Sequence, residues 1–195
     1  MLEEARRRGF LGPGAVEPHI VHARAFLLRG EAMGAHRCLD LGSGGGIPGL
    51  VLAIEHPATS WVLLDAGTTR SAFLARACAE LGLAERVQVV AARAEDLGHD
   101  QAYRGRFELV VARSFARPAV TAECAAPLLA VGGVLRVSEP PEGDDRWPPE
   151  ALARLGLVRE HTTREPARIV ELRQERACPQ PFPRRVGVPA KRPLW

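Results

Sequence analysis

Short apolar runs alternate with amphipathic stretches through the middle of the chain. Segments near 37–41, 60–65, 86–91, 106–111 and 132–138 have the length and composition of strands, and the stretches between them read as helices. Such a β-α-β rhythm predicts a parallel sheet, because each crossover returns the chain to the same end of the next strand. Within 69–83, Ala72, Phe73, Leu74, Ala77, Cys78 and Leu81 fall on roughly one face and Gly82 follows, so this helix is expected to cover the sheet. Pro118 suits the first turn of a later helix, and Gly132-Gly133 read as its stop before the apolar run 134–137.

The two ends differ from this pattern. Residues 2–30 mix alanine, arginine and leucine at helical spacing and break at Gly12-Pro13-Gly14, which predicts two short N-terminal helices. Beyond a polar, proline-rich break at 139–149, a short helix is expected near 149–155. Two runs follow, 156–163 and 167–174, separated by Arg164-Glu165-Pro166, and they read as an antiparallel hairpin that closes the sheet. The expected fold is therefore Rossmann-like α/β: a mostly parallel seven-stranded sheet with an antiparallel last hairpin and short N-terminal helices. One domain, 1–195, is expected, with N-terminal helices over 1–30, a core over 36–175 and a basic, proline-rich tail over 176–195. Its five prolines between 179 and 193 exclude helix or central strand there, and the tail is expected to lie along the surface.

Composition adds little to the fold and something to the function. An apolar fraction of 46% and a charged fraction of 25% describe an ordinary folded protein rather than a disordered one. The net charge of +3 is unevenly placed, since the tail carries Arg176, Arg184, Arg185, Lys191 and Arg192 without an acidic residue. Such a tail either meets phosphates or is simply solvated. Cysteines 38, 78, 124 and 178 are too dispersed for a Cys-x-x-Cys unit, and no histidines stand at ligand spacing, so neither metal nor disulfide is expected. The charged N-terminus has no apolar core, and the hydrophobic stretch 119–137 is interrupted by Glu123 and Pro127. A cytoplasmic location without membrane attachment is the expectation.

The chemistry concentrates in Cys38-Leu39-Asp40-Leu41-Gly42-Ser43-Gly44-Gly45-Gly46-Ile47-Pro48-Gly49, which joins a predicted strand to a helix. Taken as Gly44, Gly46 and Gly49, it is a dinucleotide fingerprint whose helix N-terminus would hold a pyrophosphate. Taken as Asp40, Gly42, Gly44 and Gly46, it places an acid beside the glycines. That acid repels a pyrophosphate and suits a cationic ligand such as S-adenosylmethionine, with its sulfonium and ammonium groups. The glycines then let the ligand run against bare backbone, and Asp40 would act directly or through water. Asp65, ending the second strand, can accept hydrogen bonds from both hydroxyls of a ribose and fits either cofactor. A plain tight turn is the third reading of the loop. An NAD-dependent oxidoreductase would need a donor such as a Tyr-x-x-x-Lys pair, and here the single tyrosine is Tyr103 and the single lysine Lys191.

The order of these motifs resembles one family, the bacterial small-subunit ribosomal RNA guanine-N7 methyltransferases, also called glucose-inhibited division protein B. The likeness runs through the loop 39–49 with its Ile-Pro-Gly ending, Thr69-Arg70-Ser71-Ala72-Phe73-Leu74, Arg93-Ala94-Glu95-Asp96 and Ala112-Arg113-Ser114-Phe115. It ends in the tail segment Pro183-Arg184-Arg185-Val186-Gly187-Val188-Pro189-Ala190-Lys191-Arg192-Pro193-Leu194. The resemblance implies a class I methyltransferase fold, S-adenosylmethionine as cofactor, and ribosomal RNA or the small ribosomal subunit as partner. By position it implies that Gly42 and Ile47 touch the cofactor, that Ala94 and Glu95 border its adenine, and that Arg113 lines the cleft. Arg113 also stands at the carboxyl end of an apolar strand, where open α/β sheets bind ligands, whereas residues 93–96 could equally be a charged helix start. Guanine N7 offers a lone pair and holds no proton, so no general base is named and Arg113 is the one catalytic-cleft residue expected.

The chain also departs from the family. Glu139-Pro140 stand where the family has a Lys-Gly pair, and a carboxylate at the mouth of the cleft is expected to repel RNA. Arg136, three residues back on a strand, should point to the other sheet face and offer no compensation. Gly9-Phe10-Leu11-Gly12-Pro13 resembles the family's Gly-Leu-Ile-Gly-Pro, but the aromatic and histidine that should follow are out of register, with His19 and His22 near misses. An alternative therefore stands: a divergent relative that binds S-adenosylmethionine but methylates another RNA or a small molecule, or has little activity.

Overall fold

A computed structural model describes residues 1–27, 36–142 and 145–195. In chain order the elements are α1 (Leu2–Arg7), α2 (Glu17–Arg24), β1 (Arg37–Leu41), α3 (Gly49–Glu55), β2 (Ser60–Asp65), α4 (Thr68–Glu80), β3 (Val87–Ala91), α5 (Ala94–Leu97) and β4 (Phe107–Ala112). They continue as α6 (Pro118–Ala125), β5 (Leu129–Ser138), α7 (Pro149–Leu155), β6 (Leu157–Thr163), β7 (Ile169–Gln174) and α8 (Val188–Lys191). The strands form one seven-stranded sheet in the order β3-β2-β1-β4-β5-β7-β6. The first five are parallel, and β7 enters antiparallel between β5 and β6. The expected α/β architecture with its closing hairpin is the architecture observed.

Alternation along the strands divides the core in two. Leu39, Leu41, Val62, Leu64, Val110, Leu135, Val137, Val170 and Leu172 point to the face covered by α5, α6 and α7. Trp61, Leu63, Leu109, Val111 and Ile169 point to the other, where they meet α3, α4 and the N-terminal segment through Leu50, Leu52, Phe73, Leu74 and Phe26. Burial on both faces is why these strands are nearly continuous apolar runs. Among the described residues, no helix is long and apolar enough to cross a membrane.

Two local expectations are corrected. Gly132-Gly133 do not stop a helix: α6 ends at Ala125, and the pair lies inside β5 at an irregularity where Phe107 faces Leu129 but Leu109 faces Val134. A Cβ on Gly133 would lie 2.7 Å from the Phe107 carbonyl oxygen, so close strand approach explains that glycine. The two short N-terminal helices are α1 and α2, the second passing into a 3₁₀ turn at Ala25–Leu27, and residues 28–30 lie outside the described residues. The basic tail runs along the surface but is not without helix: α8 forms at Val188–Lys191, with Pro189 in its first turn, where the missing proline N–H costs no intrahelical bond. Arg184 is held by Glu123, which is fully buried, and Arg104 donates to the carbonyls of Cys178, Pro179 and Phe182.

Arg136 does point away from Glu139, as strand geometry requires. It is buried on the α2 side, ion-paired with Glu171 of β7 at 2.6 Å and donating to the Phe26 carbonyl. This pair ties three elements together, and losing either partner alone would strand a charge in the interior.

Candidate active site

The strand register sets the site. Asp40 pairs in register with Leu63 and Val111, so it shares their face, and two residues further along the strands Asp65 and Arg113 emerge on that same face. Ser138 stands next to Arg113, because Ala112 pairs with Val137. Asp65, Arg113 and Ser138 thus sit side by side at the carboxyl edge, one step above Asp40, and the glycine loop crosses between them.

That loop is shaped by hydrogen bonds to the two acids. Asp40 is fully buried, and its Oδ2 accepts from the Gly49 N–H at 2.9 Å, fixing the start of α3. Asp65 Oδ2 accepts from the Gly44 N–H at 2.9 Å, while its Oδ1 accepts from the Gly67 N–H and from Arg70. Gly42, Gly44 and Gly46 have φ of +79°, +53° and +94°, a region that disfavours a side chain. A Cβ on Gly42 would also lie 2.6 Å from the Phe115 ring.

Two adjoining cavities open at this edge. The larger, about 430 Å³, is walled by the loop residues Gly42, Ser43, Gly44, Gly45 and Ile47, by Asp65, and by Arg113. Its far wall is Gly9, Phe10, Leu11 and Gly12, the connection between α1 and α2. The smaller, about 220 Å³, is lined by Ala94, Glu95, Val120, Cys124 and Ala190. Gly42, Asp65, Ala66, Arg93 and Phe115 border both. The sequence-predicted residues therefore divide between one elongated cleft: Gly42, Gly44, Ile47, Asp65 and Arg113 at one end, Ala94 and Glu95 at the other. Asp40 and Gly46 line neither cavity and lie beneath the loop they shape.

The cleft's charges are tuned by burial. Desolvation pushes the Asp40 carboxyl up to about 7, opposed by the Gly49 N–H, and its Oδ1 is buried without a hydrogen-bond partner. Arg113 is held below the ordinary arginine value by burial, with Asp40 working in the other direction, and its Nη1 is likewise buried and unsatisfied. Its Nη2 lies 2.6 Å from Nδ1 of His19. A guanidinium can only donate, so this imidazole nitrogen accepts and carries no proton. Burial, and the Arg113 charge, lower the His19 pKa in agreement with that assignment. One helical turn on, His22 Nε2 lies 2.9 Å from Ser138 Oγ, and burial brings its pKa down to about 4. Asp65 is held below the usual carboxylate range: burial acts upward and is outweighed by Arg70 together with the Gly67 and Gly44 N–H groups.

Several neighbours escaped the sequence reading as site residues. Phe115 and Arg70 lie in motifs quoted for the resemblance, but only the fold turns them into the cleft. The near-miss histidines are brought to Arg113 and Ser138 by the path of α2. Glu139, expected to project a free negative charge, is only 7% exposed, and both its oxygens are held by Arg146 at 2.8 to 3.0 Å. The expected repulsion is corrected accordingly, because a bidentate guanidinium neutralises the carboxylate. Glu160, His161 and Glu171 form a histidine-carboxylate cluster on the last hairpin, yet Arg173 and Arg136 already hold the two carboxylates.

The sheet order, the glycine loop between two acids and the cleft at the carboxyl edge define a class I S-adenosylmethionine-dependent methyltransferase. Among solved structures, a methyltransferase from Geobacter sulfurreducens matches with TM-score 0.65 at 14% identity, over 88% of this chain and 87% of that one. The S-adenosylmethionine-dependent methyltransferase SibL matches with TM-score 0.62 at 17% identity, over 90% and 69%. These likenesses concern the fold alone. The family model for GidB, rRNA small subunit methyltransferase G, matches residues 18–138. Ribosomal RNA small subunit methyltransferase G of Prochlorococcus marinus (strain MIT 9303) is 38% identical over 173 residues, 84% of this chain and 70% of that protein. The protein of the same name from Rubrobacter xylanophilus is 37% identical, covering all of this chain and 80% of its own length. The chain belongs to the rRNA small subunit methyltransferase G family.

Proposed function

We propose that this protein transfers a methyl group from S-adenosylmethionine to N7 of a guanine in small-subunit ribosomal RNA. The observation that carries the reading is that Arg113 and a glycine loop too tight for a side chain at Gly42 line one cleft at the sheet's carboxyl edge. The residues fit the cofactor on two counts: backbone glycines leave a bare wall, and Asp40 keeps an unsatisfied buried oxygen behind it.

When bound, S-adenosylmethionine supplies an activated methyl on a sulfonium, which passes to the guanine lone pair as the C–S bond breaks. No proton moves, so the protein's task is placement and exclusion of water. Gly42, Gly44 and Ile47 wall the methionine end, and Asp40 beneath them contributes negative potential toward its cationic groups. Asp65 has acceptor capacity left on Oδ2 for ribose hydroxyls, and Ala94 with Glu95 border the base. Arg113 lines the same cleft, and its guanidinium, which can only donate, suits the acceptor O6 of a guanine. His19 orients that guanidinium through its Nη2. Glu139 was the feature favouring a drifted substrate, and its ion pair with Arg146 removes that support.

The test is transfer of labelled methyl groups to unmodified small-subunit RNA and to small ribosomal subunits, read by nucleoside mass spectrometry. The expected product is 7-methylguanosine. Another methylated nucleoside, or none with either substrate, would refute the proposal.

A further inference from the structure

The tail that the sequence sets apart as basic and proline-rich is built into the cleft. His99 Nε2 lies 2.7 Å from the Pro183 carbonyl oxygen, and Pro183 packs so close to Gly98 that a Cβ there would sit 2.7 Å from its ring. Next in the chain, Arg184 donates to Glu123 from its backbone N–H, Nε and Nη2 at 2.7 to 2.9 Å. Its Nη2 also meets the Arg192 carbonyl at 2.7 Å, closing the tail on itself. Glu123 is wholly buried on α6, so the tail supplies the guanidinium that neutralises an interior carboxylate. From this anchor the chain turns at Gly187, φ +79°, whose N–H donates to Glu95 Oε1 at 3.0 Å. Ala190 of α8 then faces the smaller cavity beside Ala94 and Glu95.

We infer that residues 183–192 form a wall of the cofactor's base pocket, and that Arg184 and Glu123 are positioning residues that set cofactor affinity through Glu95 and Ala190. Glu95 is 4% exposed, and its Oε1 is oriented by the Gly187 N–H and by Arg93. Releasing the tail removes the first of these contacts and opens one side of the cavity. Arg113 is held by His19, and the glycine loop by Asp40 and Asp65, through hydrogen bonds separate from the anchor's. The inference rests on the cofactor reading above.

Two full-length variants test it. Glu123→Gln/Arg184→Gln removes the ion pair without leaving a buried charge alone, and Ala190→Trp obstructs the pocket from an exposed position that the fold tolerates. For S-adenosylmethionine, each is expected to raise KM and the calorimetric Kd about tenfold, with kcat at saturation and KM for RNA within about twofold of wild type. A merely structural role would move kcat and thermal stability together with KM. Hydrogen exchange at 186–190 is expected to slow when wild type binds the cofactor. Wild-type affinity in both variants overturns the inference alone. A wild-type protein that does not bind S-adenosylmethionine overturns the functional reading, and the inference with it.

Discussion

Arg113 donates to Nδ1 of His19 across 2.6 Å, so the end of β4 is tied to α2 by an imidazole that must stay unprotonated. Adding a proton there removes the acceptor and sets cation against cation. The His19 pKa is lowered on folding, so its neutral form is favoured in the native state and the contact is complete above the ordinary histidine value of about 6.5. Turnover is expected to fall as the pH drops below that value. His19→Gln, which keeps an acceptor and does not titrate, should flatten this acid limb in a kcat–pH profile.

Arg113→Ala is expected to lower kcat about 30-fold, the loss of a charge-assisted hydrogen bond of about 2 kcal/mol. The Kd for S-adenosylmethionine should change far less, because the cofactor's walls are glycine backbone and acids. Single-turnover kinetics beside calorimetry separates the two.

Asp40 supplies a pH dependence of opposite origin. Its carboxyl is raised on folding to about 7, so the native state keeps the proton better than the unfolded chain does. Its ionisation therefore costs stability that is lost progressively as pH rises from the unfolded value near 3.8 through about 7. Asp40→Asn should gain on the order of 2 kcal/mol over wild type at about pH 8 in urea unfolding, and little at about pH 4. A cationic cofactor favours the ionised carboxyl, so binding near neutrality is expected to release protons. Calorimetry in buffers of different ionisation enthalpy reads that release.

Glu139→Lys is expected to lower stability by about 3 kcal/mol and to leave methyl transfer no higher than wild type, since it places an ammonium against Arg146 in a buried site. The charge swap Glu139→Arg/Arg146→Glu should recover part of that loss. Denaturant titration and nucleoside analysis of the same preparations decide this, and a gain of activity in the lysine variant would restore the view of Glu139 as a repelling group.

Gly42→Asp combines a left-handed backbone with a Cβ that collides with Phe115 and adds a charge to the cleft wall. Backbone strain alone costs about 1–2 kcal/mol. Cofactor binding is expected to vanish from calorimetry while the circular dichroism of the folded sheet persists.

The order and type of the elements were legible because they depend on local periodicity. Alternation and helical spacing in 37–174 foretold a parallel sheet with a final hairpin, and the Asp40–Gly49 loop announced where a ligand would lie. Gly132-Gly133 misled because glycine serves helix ends and strand irregularities alike, and only the neighbouring strand at Phe107 shows which. The position of β7 between β5 and β6 was equally silent, since the length of a hairpin does not say which of its strands will join the sheet.

By itself the sequence determined what each segment can become, because backbone propensity and side-chain period act over a few residues. It also placed Asp40, Asp65 and Arg113 at strand ends, from which a common edge follows. Only the tertiary structure decided which partner each charged group meets. Arg146 meets Glu139, Arg184 meets Glu123, and His19 meets Arg113, each pairing set by the path of intervening chain. Electrostatics acts through space, and a charge read along the chain has no sign of its neighbour until the fold brings one within 3 Å.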